Sequence, residues 1–302
     1  MFLSPTERIK ARKWDKGHIM AKRRIELKTL ILFVFVLLCP ISAEGLPPIE
    51  IHFVDVGQGD AILIKVPTEG NILIDTGSLS GGYKVEKYLK DHCVKQLKAL
   101  IITHFHQDHV GGLFSLLPEL RVEKIYDNGI ILWGNNFYEE YVMFVRELGL
   151  QQGVLRAGNS LSFGDLTLEI LSPSDPLFND LNADSIAIKL VYGKTSFLMA
   201  ADLTEKGEKR LLDKGLDLKS DVLKVGHHGA LDATSEPFLE KVSPRIVVVS
   251  VGKDNRFGYP AQEIIDRLRG KGVRLLRTDV DGTIVIKTNG EQIAIMTGLV
   301  NN

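Results

Sequence analysis

The stretch that decides the fold is Leu100-Ile101-Ile102-Thr103-His104-Phe105-His106-Gln107-Asp108-His109-Val110-Gly111-Gly112, residues 100–112. An apolar run typical of a buried strand leads into three imidazoles and one carboxylate within six residues. Such polar groups are costly to bury unless something satisfies them, and a divalent cation does so. We therefore predict a metal site at the end of this strand, with Zn²⁺ or Mn²⁺ at one or two positions.

The spacing within this motif indicates how its side chains are arranged. The i, i+2 spacing projects His104 and His106 from the same side of an extended segment, and the following Asp-His pair turns back toward a second position. We expect a helix to begin at Gly111-Gly112. Five of the eight histidines of the chain lie either here or in Gly226-His227-His228-Gly229, and this clustering favours one shared site.

Short β-branched runs alternate with amphipathic segments in the rest of the chain. The predicted strands are 50–56, 61–66, 71–75, 99–103, 166–171, 185–191, 196–200, 221–225, 245–251, 282–286 and 292–296, and helices are predicted near 84–91, 204–214, 235–241 and 261–269. Two β-rich series, each accompanied by helices, indicate an α/β (α+β) fold of two packed sheets with helices outside. No low-complexity linker divides residues 46–302, so we predict one domain with internal pseudo-symmetry.

The first 45 residues have the pattern of a targeting segment. A basic stretch, Lys22-Arg23-Arg24, precedes a short apolar run, residues 30–38, and small residues near Ala43. This order predicts a secretory signal peptide, with an uncleaved membrane anchor as the alternative, and hence an exported, extracytoplasmic protein. Met20 is our predicted start of the natural chain. With only two cysteines, Cys39 and Cys93, the sequence predicts no disulfide framework.

Charge limits the kind of partner that the predicted domain binds. Residues 1–45 contain nine of the 37 basic and four of the 38 acidic residues, which leaves 28 basic and 34 acidic residues and a formal charge of −6. This sign argues against a large nonspecific nucleic-acid footprint and leaves a local basic groove open. We expect no stable protein partner, and contact with a membrane only through the N-terminal segment.

Several motifs of this chain together resemble those of a known family. They are Phe53-Val54-Asp55-Val56-Gly57-Gln58-Gly59-Asp60-Ala61, Ile74-Asp75-Thr76-Gly77, the residue 104–112 motif, Phe197-Leu198-Met199-Ala200-Ala201-Asp202, Lys224-Val225-Gly226-His227-His228-Gly229 and residues 250–260. On these residues the sequence resembles the metallo-β-lactamase superfamily, and more narrowly the hydrolase-like domain of ComEC-type competence proteins. The resemblance implies an αββα sandwich of two mixed sheets flanked by helices, with metals at the upper edge of the sheets.

The resemblance also implies roles for individual residues. The implied metal ligands are His104 with His106 at one position, Asp108, His109 and His227 at the other, and Asp202 between them. A metal-bound hydroxide would then attack the substrate, with Asp108 and Asp202 as the catalytic carboxylates. Asp75 is expected to orient a ligand histidine, and His228 to lie in the second shell or on the substrate side.

Two positions depart from the family pattern. The superfamily usually supplies a further histidine where this chain has Asn182-Ala183-Asp184-Ser185, and Asp184 is a candidate substitute. Relatives commonly have histidine in place of Tyr259, whose higher unperturbed pKa makes it a poorer acid at neutral pH. The Gly-rich segment 55–60 is either a hairpin turn or places Gln58 and Asp60 beside the metals.

Our leading functional hypothesis is an exported phosphodiesterase or nuclease that acts on extracytoplasmic DNA. One alternative is a hydrolase of a small or cell-envelope ester, such as phosphocholine on a wall polymer. The other is a metal-poor, non-catalytic binding module, which the missing strand histidine and Tyr259 favour.

Overall fold

Seventeen strands organise residues 45–298, the part of the chain that this computed structural model describes. In chain order the strands are β1 (Ile49–Phe53), β2 (Ile62–Val66), β3 (Gly70–Ile74), β4 (Gln96–Leu97), β5 (Ala99–Ile101), β6 (Arg121–Val122), β7 (Lys124–Asp127), β8 (Gln151–Val154), β9 (Ser160–Phe163), β10 (Leu166–Ile170), β11 (Ile188–Tyr192), β12 (Thr195–Met199), β13 (Val222–Lys224), β14 (Ile246–Val249), β15 (Arg274–Arg277), β16 (Ile284–Thr288) and β17 (Ile293–Thr297). The helices are α1 (Leu79–Asp91), α2 (Gln107–Val110), α3 (Leu113–Leu116), α4 (Asn136–Glu147), α5 (Glu205–Asp213), α6 (Glu236–Val242), α7 (Gln262–Gly270) and α8 (Thr278–Asp281), with a 3₁₀ turn at Gly226–Gly229.

The strands form two large mixed sheets and one small pair. The first sheet has the order β17-β16-β1-β2-β3-β5-β7-β8, the second has the order β15-β14-β13-β12-β11-β10-β9, and β4 pairs with β6. In each large sheet an antiparallel meander, β1-β2-β3 or β10-β11-β12, is followed by strands that run parallel to its last member. The same succession in both sheets is consistent with the expected pseudo-symmetry.

Three apolar layers hold the two sheets and their helices together. The central layer lies between the sheets and includes Phe53 and Ile74 from the first and Ile188 and Phe197 from the second. A second layer packs the outer face of the first sheet against α1, α3 and α4. A third packs the outer face of the second sheet against α5, α6 and α7. The predicted αββα sandwich of two mixed sheets flanked by helices is therefore confirmed.

Alternation along the strands explains why both faces of each sheet are covered. In β2, Ile62 and Ile64 belong to the central layer, whereas Leu63 faces the helices. In β5, Ala99 and Ile101 point to the central layer and Leu100 to the helices. Because successive side chains leave a strand on opposite faces, a continuous apolar run is what a sheet covered on both sides requires.

The sequence predicted most of the longer elements but missed several short ones. Each predicted strand and helix is present, with bounds shifted by a few residues. The helix expected at Gly111-Gly112 is present as α3, which begins at Leu113 with Gly112 as its N-cap, and a separate short helix, α2, precedes it from Gln107. Gly112 has a packing role, because a Cβ there would lie 2.1 Å from the carbonyl oxygen of Thr76. The strands β4, β6, β7, β8, β9 and β15 and the helices α2, α4 and α8 were not predicted.

The predicted signal segment lies outside the described residues, apart from Gly45. Within residues 45–298, none of the helices combines the length and the apolar character needed to cross a membrane.

One polar side chain is buried on the helix-facing side of the first sheet. His52 in β1 is 2% exposed, and its Nδ1 lies 2.7 Å from the hydroxyl of Tyr88 in α1. Its Nε2 lies 3.3 Å from Glu50. Burial, opposed in part by Glu50, lowers the pKa of His52 to about 4. The neutral imidazole is therefore the form that the fold accommodates.

The lowered pKa of His52 should make the free energy of unfolding depend on pH. Because its folded pKa is depressed, its contribution is present above the unfolded value of about 6.5 and is lost as the pH falls toward 4. Between pH 7 and 4 the free energy of unfolding of the wild type should fall by about 3 kcal/mol more than that of His52→Gln. Urea denaturation at both pH values measures this, and parallel curves for the two proteins would contradict it.

Candidate metal centre

The polar residues of the motifs meet at one edge of the sandwich. Asp75 directly follows β3, the 104–109 segment follows β5, Asp202 follows β12, and the 3₁₀ turn follows β13. These strands are parallel to their neighbours within each sheet, so their carboxyl ends lie at the same edge. Both sheets therefore contribute polar groups to a single centre.

Asp202 connects the histidines of the first sheet. Its Oδ2 lies 3.2 Å from Nε2 of His109 and 3.7 Å from Nε2 of His104, and all three side chains are buried. Nε2 of His104 also lies 3.0 Å from Nδ1 of His106. The structure thus brings Asp202 to the 104–109 segment, as the resemblance implied.

Asp75 occupies the position expected of an orienting carboxylate. Its Oδ2 lies 2.7 Å from Nδ1 of His109, which leaves Nε2 of His109 directed at Asp202. Asp75 also accepts hydrogen bonds from the backbone N–H and the hydroxyl of Thr103, at 2.8 and 2.7 Å. A carboxylate fixed in this way sets both the ring orientation and the tautomer of the histidine.

The two adjacent histidines of the 3₁₀ turn occupy different environments. His228 is buried, and its Nε2 lies 3.4 Å from both Asp108 and Asp202. His227 faces away from these carboxylates, with Nδ1 2.9 Å from Asp232 and Nε2 3.3 Å from the amide nitrogen of Asn182. The structure therefore places His228 where the sequence analysis expected His227, and His227 on the open side.

Asp184 does not reach the cluster. Its Oδ1 accepts the backbone N–H of Phe178 at 3.1 Å, and its Oδ2 that of Asp180 at 3.4 Å. Because both oxygens are used within its own loop, Asp184 does not replace the missing strand histidine. Asn182 of the same loop lies at the site instead, in contact with His227 and His106.

Tyr259 lies beside His227. The two rings meet edge to face with centroids 5.5 Å apart. Burial, with Asp232 contributing, raises the pKa of Tyr259, so its hydroxyl stays protonated at neutral pH.

A buried lysine and a second aspartate complete the centre. Lys224, at the end of β13, is fully buried and pairs with Asp60, while its Nζ lies 4.0 Å from Oδ1 of Asp202. Asp60 directs its other oxygen toward His228, with Oδ1 3.7 Å from Nδ1. Of the two interpretations of segment 55–60, the structure matches the one that places Asp60 beside the cluster. The role of Lys224 was missed, although it precedes the Gly-His-His motif.

The backbone at the centre is held in an unusual conformation. Asp75, Ala201, His227 and His228 have φ values of 57°, 47°, 46° and 55°. L-residues adopt this left-handed region at a cost of about 1–2 kcal/mol each. Such residues persist where the surrounding structure determines them, and they cluster at functional sites.

A glycine permits the close approach of the two loops at the centre. Asp60 N–H donates to the carbonyl of Asp108 at 3.2 Å. A Cβ on the preceding Gly59 would lie 2.1 Å from that same carbonyl oxygen. Only glycine therefore allows Asp60 and Asp108 to lie on the same centre.

Charge within the cluster is divided between carboxylates and imidazoles. Burial lowers the pKa of His228, but Asp202 and Asp108 outweigh it and raise the value to about 9. Burial opposes charge on His109 as well, yet Asp202 and Asp75 raise its pKa well above the ordinary value. For His104, burial and the neighbouring His109 lower the pKa well below that value.

The donor atoms at the centre fit a divalent cation. Buried atoms without a hydrogen-bond partner include Oδ1 of Asp60, Nε2 of His109, Oδ1 of Asp202 and Nε2 of His228. Imidazole nitrogens and carboxylate oxygens are the ligand types of Zn²⁺ and Mn²⁺. Two sets whose donor atoms lie within 4.8 Å of one another are His104-His109-Asp202 and Asp108-His109-His228. Unpaired buried polar atoms are costly, and a cation would satisfy them.

Comparison with known proteins agrees with this geometry. Residues 54–253 match the sequence profile of the Metallo-beta-lactamase superfamily. The chain belongs to this superfamily. The matched region includes the 104–109 segment, Asp202 and His228.

Three similar curated proteins each match more than two thirds of this chain. ComE operon protein 3 of Bacillus subtilis is 33% identical over 274 residues, 85% of this chain and 34% of that protein. Competence protein ComA of Neisseria gonorrhoeae is 32% identical over 232 residues, 76% of this chain and 31% of that protein. Recombination protein 2 of Haemophilus influenzae is 30% identical over 272 residues, 88% and 32% respectively. The chain thus spans about a third of the length of these relatives.

Solved structures share the metallo-β-lactamase fold with this chain. The fold protein YhfI from Bacillus subtilis aligns with a TM-score of 0.53 at 11% identity, over 83% of this chain and 100% of that one. A mutant of CmlA β-hydroxylase aligns with a TM-score of 0.53 at 15% identity, over 82% of this chain and 55% of that one. A hydroxylase among the neighbours shows that the fold alone does not assign the reaction, which depends on the site.

The buried pair Lys224–Asp60 should be strongly coupled in stability. Lys224→Met or Asp60→Asn alone leaves a buried group without its partner and should cost about 3–5 kcal/mol of unfolding free energy. The double substitution removes both charges and should cost less than the sum of the two. A double-mutant cycle by urea denaturation measures the coupling, and strictly additive effects would contradict the pairing.

The two histidines of the 3₁₀ turn should differ in metal binding. His228→Ala removes a buried donor and should weaken Zn²⁺ or Mn²⁺ binding by at least about tenfold, whereas His227→Ala should change it less than about threefold. Because the raised pKa keeps His228 charged at pH 7, metal binding to the wild type should release a proton and tighten as the pH rises toward 9. Calorimetry in buffers of different ionisation enthalpy measures both quantities. Equal losses for the two variants would refute this difference.

Proposed function

We propose that this protein is an exported phosphodiesterase that uses one or two divalent cations, Zn²⁺ or Mn²⁺. The observation that supports it most directly is a set of buried atoms that have no hydrogen-bond partner and could bind a metal. They belong to Asp60, His109, Asp202 and His228 and converge at one edge of the sandwich. A phosphodiester is an anionic electrophile, and divalent cations held at this centre would attract it.

In this proposal the metal ligands are His104, His106, Asp108, His109, Asp202 and His228. Cations held there would supply a nucleophile at neutral pH and neutralise charge that develops on the phosphoryl oxygens. His228 replaces His227 in this assignment because its Nε2 faces Asp108 and Asp202.

The remaining residues of the centre act by positioning. Asp75 orients the ring of His109 through its contact with Nδ1. Lys224 forms an ion pair with Asp60, whose other oxygen faces His228. His227 is fixed between Asp232 and Asn182 on the open side, next to Tyr259, where it would contact substrate. Because the raised pKa of Tyr259 keeps its proton at neutral pH, this residue would serve as a hydrogen-bond donor.

The choice of substrate and location draws on the relatives and on the N-terminal pattern. Two of the similar proteins are named for competence and for recombination, processes in which DNA is handled. The basic, apolar and small-residue order of residues 22–45 supports export. We therefore place the substrate, a nucleic acid or another phosphodiester, outside the cytoplasm.

The full chain supplied with Mn²⁺ or Zn²⁺ should hydrolyse bis-p-nitrophenyl phosphate. Asp202→Asn should lower kcat/KM at least about a hundredfold, because it removes a charge shared by the ligand histidines. Asp213→Asn, on an exposed helix end, is the matched control and should retain activity. Release of p-nitrophenolate reports the rate. The absence of turnover with every metal tested, or full activity in Asp202→Asn, rejects the proposal.

A further inference from the structure

A groove opens beside the metal centre on the side of Asp108. It has a volume of about 530 Å³ and lies between the Gly-rich loop after β1, the start of α1 and the loop after β14. Residues that line it include Gln58, Lys84, Asp108, Asn255, Arg256 and Phe257. Because Asp108 belongs to both, a ligand in the groove would extend directly from the metal centre.

Two cations in the groove have no anionic partner. Within residues 45–298, neither Lys84 nor Arg256 has a carboxylate within 4.0 Å. Elsewhere on the same helix the lysines are paired, since Lys87 contacts Asp91 and Lys90 contacts Glu86. These two cations outnumber the one carboxylate that lines the groove, that of Asp108, although the domain as a whole is acidic.

An aromatic side chain lies next to these cations. Phe257 is 49% exposed, and its ring stacks on that of Tyr259 with centroids 5.5 Å apart and planes 18° apart. The guanidinium of Arg256 lies 4.9 Å from the centroid of Phe257. Large apolar side chains are usually buried, so a half-exposed ring beside a charged groove is a candidate binding surface.

The loop that presents these side chains is held by a single amide. Asn255 donates to the carbonyls of Gly252 and Tyr259 at 3.0 and 2.7 Å, and its Oδ1 accepts from the N–H groups of Phe257 and Tyr259 at 3.2 and 3.0 Å. Gln58 links this loop to the opposite wall, because its Oε1 accepts the N–H of Gly252 at 3.3 Å. Both walls of the groove are therefore fixed in position.

We propose that this groove binds a nucleotide of single-stranded nucleic acid next to the phosphodiester that is cleaved, an inference that rests on the proposed function. Lys84 and Arg256 would contact flanking phosphates, and Phe257 would stack on an unpaired base. A base inside a duplex is already stacked, so single strands are the preferred form. A choline headgroup fits less well, because its quaternary ammonium would be repelled by the two cations.

Binding is measured on the full chain in EDTA, by the anisotropy of a short fluorescein-labelled oligothymidylate. Lys84→Gln, Arg256→Gln and Phe257→Ala should each weaken binding by about fivefold to tenfold. Lys87→Gln on the same helix, and Met296→Ala, also 49% exposed, are the controls and should bind as the wild type does.

Salt dependence separates the two kinds of contact. The double variant Lys84→Gln/Arg256→Gln should reduce the slope of log affinity against log salt concentration by about 1.4, because each single-strand phosphate contact contributes about 0.7. Phe257→Ala should weaken binding without changing the slope, and Phe257→Trp should restore it. Competition by duplex DNA and by a choline-phosphate polymer tests the form of the ligand.

The outcomes distinguish this inference from the proposed function. Variants that bind the oligothymidylate as tightly as the wild type, or stronger competition by the choline-phosphate polymer than by oligothymidylate, overturn the groove assignment. In the metal-replete enzyme, Lys84→Gln and Arg256→Gln should raise KM for the oligothymidylate by more than they change kcat/KM for bis-p-nitrophenyl phosphate, which has no flanking phosphates. A lack of turnover of the small ester by the wild type rejects the phosphodiesterase, whereas the binding measurements in EDTA still decide the groove.

Discussion

The interaction on which this structure depends is the burial of carboxylates and imidazoles together at the edge where two sheets meet. Asp202 lies 3.7 Å from His104, which follows a strand of the first sheet, and 3.4 Å from His228, which follows a strand of the second. All three side chains are buried. Such groups are tolerated in an apolar sandwich only if they compensate one another or bind a cation. The left-handed backbone at Ala201 and the glycine at position 59 follow from this requirement, because each brings a polar group into a space that ordinary backbone geometry would not reach.

The fold was largely predictable because its signals are local. Apolar runs such as 100–102 mark strands covered on both faces, and the residue 104–109 motif is specific enough to imply the superfamily. Weak signals explain the omissions: β9 and β15 are four-residue edge strands with at most one buried side chain each, and the sequence of β15 does not alternate. The short helix α2, Gln107–Val110, was missed because its four residues belong to the polar 104–109 motif and are too few to show a helical apolar pattern.

The sequence predicted which residues form the site better than it predicted how they are arranged. Asp75, His104, His109 and Asp202 come together as the motifs imply. Which of two adjacent histidines faces inward depends on the φ angles of the 3₁₀ turn, and composition does not encode these. Asp184 was a candidate ligand because a carboxylate can bind a metal, but its oxygens accept hydrogen bonds from backbone N–H groups of its own loop. The net charge of −6 for residues 46–302 describes the whole surface, so it gave no indication that unpaired cations meet at Lys84 and Arg256.

The buried ammonium of Lys224 separates folding from metal binding, two events that are coupled in many metalloproteins. Its charge belongs to the chain, so a chelator that strips the cations leaves Asp60 with a counter-ion in place. We expect the sandwich to fold before any metal binds, so that loading would be a later, reversible event. Removal and return of the metal would then leave the two sheets assembled.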